Sequence, residues 1–533
     1  MRSRRGERER TGSGVTRLEP SADDRRTTPR IVPPSASELV GLAARDDIVV
    51  TRAEAEELAP VVAHLVDRAR AALELPYDYS LPLPGPRDPG YQPSPEENAY
   101  NAFIRRCHVT GAADGPLAGR TVAVKDNISV AGVPTTNASR MPPHTPDVDA
   151  VVVERILAAG GVIVGKLNMD DMAAAGTGET SAFGPARNPV DPDRSAGGSS
   201  GGSGAAVAGG EVDISLGVDQ GGSGRIPAAF CGVVTVKATQ GLIPSFGVAH
   251  IDHTIDSVTP IARSVFEVAT MLEVIAGEDW RDPQWVRGPL VADRYTEAAQ
   301  ESVAGMRIGV VTESCDSGIC EPAVLAGVDR CVTALADAGA SVERVSIPMW
   351  ADGLTIFQPY IGQLVATMLR SDGEGVGHMG YIDAGRMGAF ATARRENSAL
   401  LAQQVKAWVL ADRWLRDRYA NCAFAPLHDL RLMLGQEIDA ALARFDLLLT
   451  PTLPVTAPLL LTREASFAEI AERTSAALCY NTAPLNLSGH PAISHPSGRD
   501  ADGLPTAVQL IGGRRCERLI FRAAFALEAA LTG

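Results

Sequence analysis

Apolar runs and amphipathic stretches alternate along most of the chain, and their periods predict strands and helices in turn. The run TVAV at 121–124 is continuously apolar, which predicts a buried strand that ends at Lys125. Apolar residues recur at helical spacing in VDAVVVERILAAG at 148–160, and the run VIVGKLN at 162–168 predicts another strand. Because such pairs continue to the C-terminus, the pattern predicts an α/β fold with a mostly parallel core sheet.

The first 97 residues have a different composition. Residues 1–30 are rich in Arg, Glu and Ser and contain almost no large apolar residue, so we expect a disordered tail. Two helices are predicted next, and Thr51 and Glu54 form a capping-box pattern at the start of the second one. A proline-rich connection follows, so residues 31–97 are expected to form a small helical appendage.

The main domain is expected to span residues 98–533. Within it, the strand and helix pattern is interrupted at 353–445 by a predicted helical insertion, which includes a long helical stretch at 393–419. Three strand-like runs and a closing helix follow the insertion.

Glycine and serine are concentrated between Ser195 and Pro227, in SAGGSSGGSGAAVAGGEVDISLGVDQGGSGRIP. A flexible linker would not contain AAVAGG and DISLGVD, which predict a small-residue helix and a buried strand. The glycines therefore lie in loops of a packed domain, where they allow the backbone to approach a ligand closely. Two facing loops of this kind direct several N–H groups at one point, which suits an anion or an oxyanion.

Charge and composition exclude several classes of partner. The formal net charge is −15 and the pI is near 5.2, which argues against a nucleic-acid partner. No apolar run approaches the ~18–20 residues that span a bilayer, so we expect no membrane partner and a cytoplasmic location. The eight cysteines are scattered without a CxxC pattern, which indicates neither a disulfide framework nor a zinc site. We expect no metal and no cofactor.

Lysine is rare in this chain. Of the 49 basic residues only four are lysines, at 125, 166, 237 and 406. An ammonium group can lose its proton when it is buried, whereas a guanidinium stays charged. Each lysine is therefore a candidate for a task that arginine cannot perform. Lys125 is the favoured one, because it ends an apolar strand and is followed by Asp126 and Asn127 at the edge of the predicted sheet.

Local sequence does not choose a nucleophile among the serines at 199, 200, 203 and 223, but context favours Ser223. It follows the strand DISLGVD and a Gln-Gly-Gly loop, so its hydroxyl and the preceding N–H groups are expected to share one turn. A nucleophile whose own loop supplies oxyanion donors is well suited to acyl transfer. Ser203 lies inside the small-residue helix and is expected to be structural.

A serine nucleophile needs a base, and two kinds of base are available. The elbow pattern G-x-S-x-G occurs at 197–201 with His490 downstream, which would give a Ser-His-Asp hydrolase. That pattern is short and arises easily in a segment so rich in glycine and serine. A neutral lysine also serves as a base, and the scarcity of lysine makes Lys125 the stronger candidate.

The motifs AVKDN, GGSSGG and DQGGSGRIPAAFCGVV, in this order, resemble the amidase signature family of serine hydrolases. The resemblance continues through NPVDPDRSAGGSSGG, LLLTPTLP and DGLPTAVQLIG, from about residue 117 to the C-terminus. Together with the helical appendage, the DQGGS version is most similar to amidases associated with nitrile hydratases. The resemblance implies an α/β/α sandwich with a large mixed central sheet.

Carried over by position, the resemblance implies a Ser-Ser-Lys triad. Ser223 attacks the amide carbonyl, Ser199 relays the proton after a cis peptide bond from Gly198, and neutral Lys125 is the final base. The oxyanion hole is expected to consist of the backbone N–H groups of four consecutive residues, Gln220, Gly221, Gly222 and Ser223. Three side chains are given supporting roles: a hydrogen bond to Lys125 is expected for Ser200, and bracing of the loop for Asp219 and Arg225.

The implied activity is hydrolysis of a small-molecule carboxamide to a carboxylic acid and ammonia, in a homodimer formed through the N-terminal helices. The insertion is expected to cover the substrate pocket, with Met172, Ala175, Thr177 and Phe246 as candidate contacts. Three alternatives remain open at this stage. They are an amidotransferase A subunit that liberates ammonia from glutamine, a Ser-His-Asp α/β-hydrolase esterase, and a binding protein without catalytic activity.

Overall fold

The computed structural model describes residues 31–76, 81–82, 84–85, 87–284, 293–462, 465–475 and 477–532. The predicted disordered tail at 1–30 lies outside the described residues. The chain divides into two compact units, and the first one ends at Pro82.

The first unit contains two helices, α1 (Ala36–Arg45) and α2 (Arg52–Leu73). The predicted capping box is confirmed, since the Thr51 side chain accepts a hydrogen bond from the backbone N–H of Glu54 and the Glu54 carboxylate accepts one from Thr51. A second box, formed by Ser35 and Glu38, begins α1.

In the described part of the second unit, eleven strands form one sheet in the order β1-β3-β2-β4-β6-β5-β10-β11-β9-β7-β8. All six residues of the central strand β4 are buried, as expected for a strand with both faces of the sheet covered. The strands are β1 (Phe103–Thr110), β2 (Thr121–Lys125), β3 (Val162–Leu167), β4 (Ile214–Asp219), β5 (Val234–Lys237), β6 (Ser257–Ala262), β7 (Arg307–Val311), β8 (Ser341–Val345), β9 (Leu447–Pro451), β10 (Ala492–Arg499) and β11 (Pro505–Ile511).

The sheet is mixed, and the prediction of a mostly parallel sheet from the alternating pattern is wrong. Among the described strands, only the pairs of β2 with β3 and β4, and of β7 with β8 and β9, are parallel. The middle of the sheet, from β4 through β9, is antiparallel. One physical reason is the connection between β10 and β11, which is too short for a crossover and closes a hairpin instead. The mixed sheet implied by the family resemblance is confirmed.

Helices pack around the sheet. Residues 353–442, within the predicted helical insertion, are largely helical, and the long helical stretch expected at 393–419 is broken by a 3-10 turn at Ser398–Leu400. The helices are α3 (Val151–Ala158), α4 (Gly201–Ala208), α5 (Arg225–Cys231), α6 (Val265–Ile275), α7 (Pro322–Asp337), α8 (Gly353–Arg370), α9 (Ala384–Asn397), α10 (Gln403–Tyr419), α11 (Phe424–Leu442), α12 (Phe467–Ser475), α13 (Ala483–Ser488) and α14 (Glu517–Thr532).

Candidate functional site

The site lies where β2 and β4 end. These strands are parallel neighbours, so the residues at their C-terminal ends, Lys125 and Asp219, reach the same edge of the sheet. Lys125 is fully buried, and its Nζ lies 2.8 Å from the Ser199 Oγ and 3.2 Å from the carbonyl oxygen of Val218. The structure therefore brings the predicted lysine into hydrogen-bond contact with the predicted relay serine.

The position of Lys125 changes its protonation. Burial lowers the pKa of the Lys125 ammonium to about 7, although the negative charges of Asp170, Asp219 and Asp256 oppose this shift. An amine with this pKa is neutral in a large fraction of molecules near neutral pH. It can then accept a proton, which the buried guanidinium of Arg225 cannot do.

Ser199 lies in the loop before α4, and the peptide bond from Gly198 to Ser199 is cis, as the resemblance implied. The backbone around it is tightly enclosed. A Cβ atom on Gly198 would lie 2.0 Å from Asp170 Oδ2 and 2.6 Å from the Gly178 nitrogen, so no side chain fits there. The Ser199 carbonyl accepts a hydrogen bond of 3.0 Å from the Asp170 N–H, which fixes the loop from a second side.

Ser223 lies in the loop between β4 and α5. The Ser200 N–H donates a 3.1 Å hydrogen bond to the Ser223 carbonyl, so the two serine-bearing loops are joined through their backbones. The hydroxyl of Ser200 does not hold Lys125, and that prediction is wrong. Its Oγ instead bonds both backbone groups of Val218, at 3.2 Å each, and the Val218 carbonyl is the group that Lys125 also contacts.

Asp219 organises the loop that carries Ser223. Its carboxylate accepts backbone hydrogen bonds from Gly222 at 2.8 Å and from Gly224 and Arg225 at 3.2 Å each. The Arg225 side chain donates to both carboxylate oxygens at 3.0 Å, and Asn486 Nδ2 donates to Oδ1. Burial alone would raise the pKa of Asp219, but the Arg225 charge and these hydrogen bonds outweigh it and hold the pKa far below its ordinary value.

The bond from Gly222 to Asp219 alters the predicted set of oxyanion donors. The Gly222 N–H points at a carboxylate and is occupied. Among the described atoms, the N–H groups of Gln220, Gly221 and Ser223 have no hydrogen-bond partner. These three groups remain available as donors, which is sufficient for an oxyanion hole.

A cavity of about 340 Å³ opens at Ser223. Ala175, one of the predicted substrate contacts, is among its lining residues. Its walls come from the Ser223 loop, the segment around Ala175 and the helices α8 and α10. The residues of the insertion and of the downstream chain were not predicted individually, because only the fold brings them here: Leu354, Phe357, Gln358, Pro359, Ile361, Gln404, Trp408 and Cys479.

The remaining predicted contacts lie elsewhere. Met172 lines a separate cavity on the other side of Ala173. The Thr177 carbonyl accepts a 2.6 Å hydrogen bond from the Ser195 hydroxyl, which is a structural role. Phe246 is buried edge-on against Tyr381, with ring centroids 5.7 Å apart, and lines neither cavity. The sequence alone does not fix the directions of these side chains.

The other candidate bases are engaged outside the site. His490 Nε2 lies 2.9 Å from Asp439 Oδ1, and its Nδ1 lies 3.0 Å from the Ser488 hydroxyl, so its hydrogen-bond partners include neither Ser199 nor Ser223. Lys166 is buried 3.3 Å from Asp126 Oδ1.

We also examined the described residues for metal-binding clusters and for membrane-spanning helices. Among the residues that the structure describes, no group of three or more His, Cys, Asp or Glu side chains is arranged to hold a metal ion. In the same part of the chain, the helices are all too short or too polar to cross a bilayer.

The chain is similar in sequence and fold to several known proteins. A family model described as Amidase matches residues 96–521. The chain is 40% identical over 439 residues to the A subunit of the glutamyl-tRNA(Gln) amidotransferase of Halobacterium salinarum, covering 81% of this chain and all of the relative. It is 35% identical over 486 residues to an enantioselective amidase of Rhodococcus rhodochrous, covering 90% of this chain and 93% of the relative. The crystal structure of the corresponding A subunit from Thermotoga maritima matches with a TM-score of 0.67 and 32% identity, over 81% and 88% of the two chains.

Proposed function

The chain belongs to the amidase signature family, and we propose that it hydrolyses uncharged primary carboxamides to a carboxylic acid and ammonia. The proposal rests on two properties of the site. One is the contact between Lys125 and Ser199 beside the Ser223 loop, which supports acyl transfer. The other is the character of the cavity at Ser223, which bears on the substrate.

In the proposed reaction, neutral Lys125 accepts the proton of the Ser199 hydroxyl while Ser199 accepts the proton of Ser223. The Ser223 oxygen forms a bond to the amide carbonyl carbon, and the negative charge moves to the carbonyl oxygen. The N–H groups of Gln220, Gly221 and Ser223 stabilise that charge, each by about 3 kcal/mol in the transition state. Ser199 donates a proton to the amide nitrogen and receives one from the Lys125 ammonium, the carbonyl double bond re-forms as the C–N bond breaks, and ammonia leaves while Lys125 is neutral again. Water then attacks the acyl-enzyme by the same proton route and releases the acid.

The composition of the cavity wall favours an uncharged substrate over glutamine. Among the described residues that line it, none bears a charge, and the walls are formed mainly by Ile251, Leu354, Phe357, Ile361 and Trp408. Glutamine has an α-carboxylate and an α-ammonium group, and both would lose hydration here without a charged partner, which costs several kcal/mol. An amide with an apolar aliphatic or aromatic body loses no such hydration and gains from burial.

A second candidate function is that of an amidotransferase A subunit, which would release ammonia from glutamine for a partner enzyme. The sequence relationship favours it, because the 40% identity to the Halobacterium salinarum protein extends over the whole of that relative. The match to the Rhodococcus rhodochrous amidase is lower in identity but covers more of this chain. Both functions share the attack of Ser223 on a primary carboxamide and differ in the body of the substrate.

The two functions are separated by measuring ammonia release from benzamide, isobutyramide and glutamine, with Ser223→Ala as the inactive control. We expect kcat/KM for benzamide and isobutyramide to exceed that for glutamine by at least about 100-fold, which corresponds to roughly 2.7 kcal/mol of discrimination. A preference for glutamine would transfer the assignment to the amidotransferase. Turnover that persists in Ser223→Ala would contradict both.

We further propose that the protein acts as a cytoplasmic homodimer joined through its N-terminal helices. Leu58, Val61 and Leu65 of α2 lie at helical spacing and are 43%, 56% and 62% exposed, so they form an apolar stripe. A second copy of the same stripe would cover it by a two-fold contact. Light scattering of the full chain is expected to give twice the chain mass, and the mass of one chain when all three residues are changed to Ser. A monomeric wild-type protein would contradict the proposal.

A further inference from the structure

Asp170 is a fully buried residue beside the Ser199 loop, and the proposed reaction assigns no role to its carboxylate. A Cβ atom on Gly198 would lie 2.0 Å from Asp170 Oδ2, so the carboxylate packs directly against the residue before Ser199. The backbone N–H of Asp170 donates a 3.0 Å hydrogen bond to the Ser199 carbonyl. Both the side chain and the backbone of Asp170 therefore hold the segment that carries the proposed relay serine.

The Asp170 carboxylate is bound by uncharged donors. Its Oδ2 accepts a 2.9 Å hydrogen bond from the Gly178 N–H, and its Oδ1 accepts bonds from the Thr180 N–H at 3.1 Å and the Thr180 hydroxyl at 2.7 Å. The Thr180 oxygen itself accepts a 3.2 Å bond from the Asp171 N–H, so the hydroxyl hydrogen is free to point at Asp170. Burial raises the pKa of Asp170, whereas these hydrogen bonds and the Lys125 charge act to lower it. Because every partner donates, the surroundings favour the ionised carboxylate over the acid.

Capping of the following turn does not account for this arrangement. Asp170 occupies the N-cap position of a 3-10 turn at Asp171–Ala173, where an Asp side chain commonly accepts a hydrogen bond from the turn itself. Its side chain makes no such bond and instead accepts from Gly178 and Thr180 in the next loop. The carboxylate is therefore held away from its own turn and against Gly198.

The charge of Asp170 acts on Lys125. Burial lowers the pKa of Lys125, and among the three carboxylates that oppose this shift Asp170 acts more strongly than Asp219 and Asp256. Asp219 is bound by the Arg225 guanidinium, which offsets its charge, and burial raises the pKa of Asp256 to about 7, so part of its charge is lost near neutral pH. In the described part of the chain Asp170 accepts hydrogen bonds from neutral groups alone, so its charge acts on Lys125 without such compensation.

We propose that Asp170 is a positioning residue, which holds the Ser199 backbone in place and supplies the negative charge that stabilises the Lys125 ammonium once it has accepted a proton. This inference rests on the proposed function, because it takes Lys125 as the base. Asp170 does not line the cavity at Ser223. It therefore acts through Ser199 and Lys125 and not on the substrate.

The rate at which a fluorophosphonate labels Ser223 tests this role without any choice of amide. The Ser223 oxygen forms a bond to phosphorus, fluoride leaves, and the serine proton passes through Ser199 to Lys125. The labelling rate should therefore rise with pH as Lys125 becomes neutral. Rates are measured from about pH 5 to about pH 9, a range that brackets the pKa of Lys125.

Three variants are compared with the wild-type protein. Asp170→Asn removes the charge, and Thr180→Val keeps the carboxylate but removes the hydroxyl that stabilises its charge. Asp282→Asn is the matched control. Asp282 is also buried and also accepts backbone hydrogen bonds, from Ser245 and Gln284, but it is not among the carboxylates that act on Lys125. Circular dichroism verifies that each variant is folded.

We expect the midpoint of the rise to lie near pH 7 in the wild-type and Asp282→Asn proteins. In Asp170→Asn it should lie about one pH unit lower, because the lost charge no longer favours the ammonium. The rate above the midpoint should also fall by about 10-fold or more, since the lysine is then a weaker base. Thr180→Val should shift the midpoint in the same direction by a smaller amount, and this conservative variant provides the test if Asp170→Asn does not fold.

A slower reaction with an unchanged or higher midpoint, in every folded variant of Asp170 and Thr180, would show a merely structural role and overturn the inference. An equal shift of the midpoint in Asp282→Asn would also overturn it. A wild-type protein in which the label modifies no Ser223 at any pH would contradict the proposed function itself, so the two failures are distinguishable.

Discussion

The Arg225 guanidinium donates two hydrogen bonds to the carboxylate of Asp219, one to each oxygen. The Arg225 Nε lies 3.0 Å from Oδ2, the Nη2 lies 3.0 Å from Oδ1, and both residues are fully buried. This ion pair joins the end of β4 to the first turn of α5, and the Ser223 loop lies between them. The Ser223 loop is thus held by a buried charge pair, and neither residue of the pair lines the cavity at Ser223.

Removing one charge of this pair is expected to destabilise the protein strongly. Asp219→Asn leaves the Arg225 guanidinium buried without a counter-charge, and we expect the free energy of unfolding to fall by about 3–5 kcal/mol. Urea denaturation measures this loss. Asp417→Asn, which breaks the exposed ion pair with Arg413, is the control and should change stability by less than about 1 kcal/mol. Equal effects of the two substitutions would argue against a structural role for the pair.

Replacing Lys125 by Arg is expected to abolish most of the activity. The guanidinium remains charged in a site where a neutral amine must accept a proton, so we expect kcat to fall by about 10²–10⁴-fold. Ammonia release from benzamide measures the effect, and circular dichroism verifies that the variant is folded. Lys406→Arg, in the insertion, serves as the control and should retain activity. A Lys125→Arg protein with wild-type turnover would remove lysine from the mechanism.

The activity is expected to depend on pH through Lys125. Because the pKa of Lys125 is about 7 and the neutral amine is the base, kcat/KM should rise as the pH increases through about 7 and level off above it. A series of benzamide assays from about pH 5.5 to about pH 9 brackets this pKa and follows the rise. A rate that declines across the same range would mean that the protonated form is the active one.

Lys237 allows the free-energy cost of burying a charged lysine to be measured at a residue that has no role in the proposed reaction. Burial lowers the pKa of Lys237 to about 7, and its Nζ donates to the Ala238 carbonyl, at 3.2 Å. Below pH 7 both the folded and the unfolded chain hold the proton, and the folded state bears the full cost of the charge. Above pH 7 the unfolded chain still holds the proton while the folded chain does not, so the cost of burying the charge changes with pH.

The sign of this change follows from the protons bound in each state. Above pH 7 the unfolded chain binds more protons than the folded chain, so the free energy of unfolding of the wild-type protein rises with pH. A variant that lacks the Lys237 amine does not have this contribution, so its stability relative to the wild-type protein falls over the same range. Lys237→Met is therefore expected to be more stable than the wild-type protein at pH 6. Its advantage should shrink by up to about 1.4 kcal/mol for each pH unit above 7, until the pKa of the unfolded lysine is reached.

Urea denaturation of the wild-type and Lys237→Met proteins at several pH values gives the difference directly, because groups common to both cancel. A difference that does not vary with pH would show that Lys237 titrates normally.

Gly221 packs closely against the Phe357 ring, so a side chain at position 221 would clash with the ring, and removing the ring should relieve the clash. A Cβ atom on Gly221 would lie 2.3 Å from the Phe357 ring, so Gly221→Ala is expected to displace a proposed oxyanion donor and lower kcat by about 10²-fold or more. Phe357→Ala removes the ring, and the double variant should recover part of the lost kcat. If the two effects simply add, the clash is not the cause of the loss.

The sequence identified the residues that the structure brings together at Ser199 better than it identified the lining of the cavity at Ser223. Lys125 stood out because it is a rare residue type at the end of a strand, and the glycine pattern around Ser199 and Ser223 implied close backbone packing. Lys237 shares the burial and the lowered pKa, so the scarcity of lysine alone does not separate the proposed base, Lys125, from a lysine outside the site. Only the contact with Ser199 makes that distinction.

Features that depend on tertiary packing escaped prediction. The strand β6 contains Pro260, and a proline usually argues against a strand that is paired on both sides, so the sequence pattern does not predict this strand. Trp408 and Phe357 line the Ser223 cavity, although their helices are more than 100 residues from Ser223 in the chain. Helical periodicity identifies the apolar face of a helix but does not identify the element against which that face packs. The occupation of the Gly222 N–H by Asp219 likewise follows from a turn whose geometry the letters DQGGS do not fix.

The division of labour between sheet and insertion has an evolutionary consequence. The proposed reacting groups lie at the end of β2 and in the loops before α4 and α5, whereas much of the cavity wall comes from α8 and α10. Substitutions in those two helices can change which molecules the cavity accepts and leave the proposed proton-transfer groups unchanged. Directed evolution for new amide preferences would therefore do best with libraries confined to the pocket-facing turns of α8 and α10.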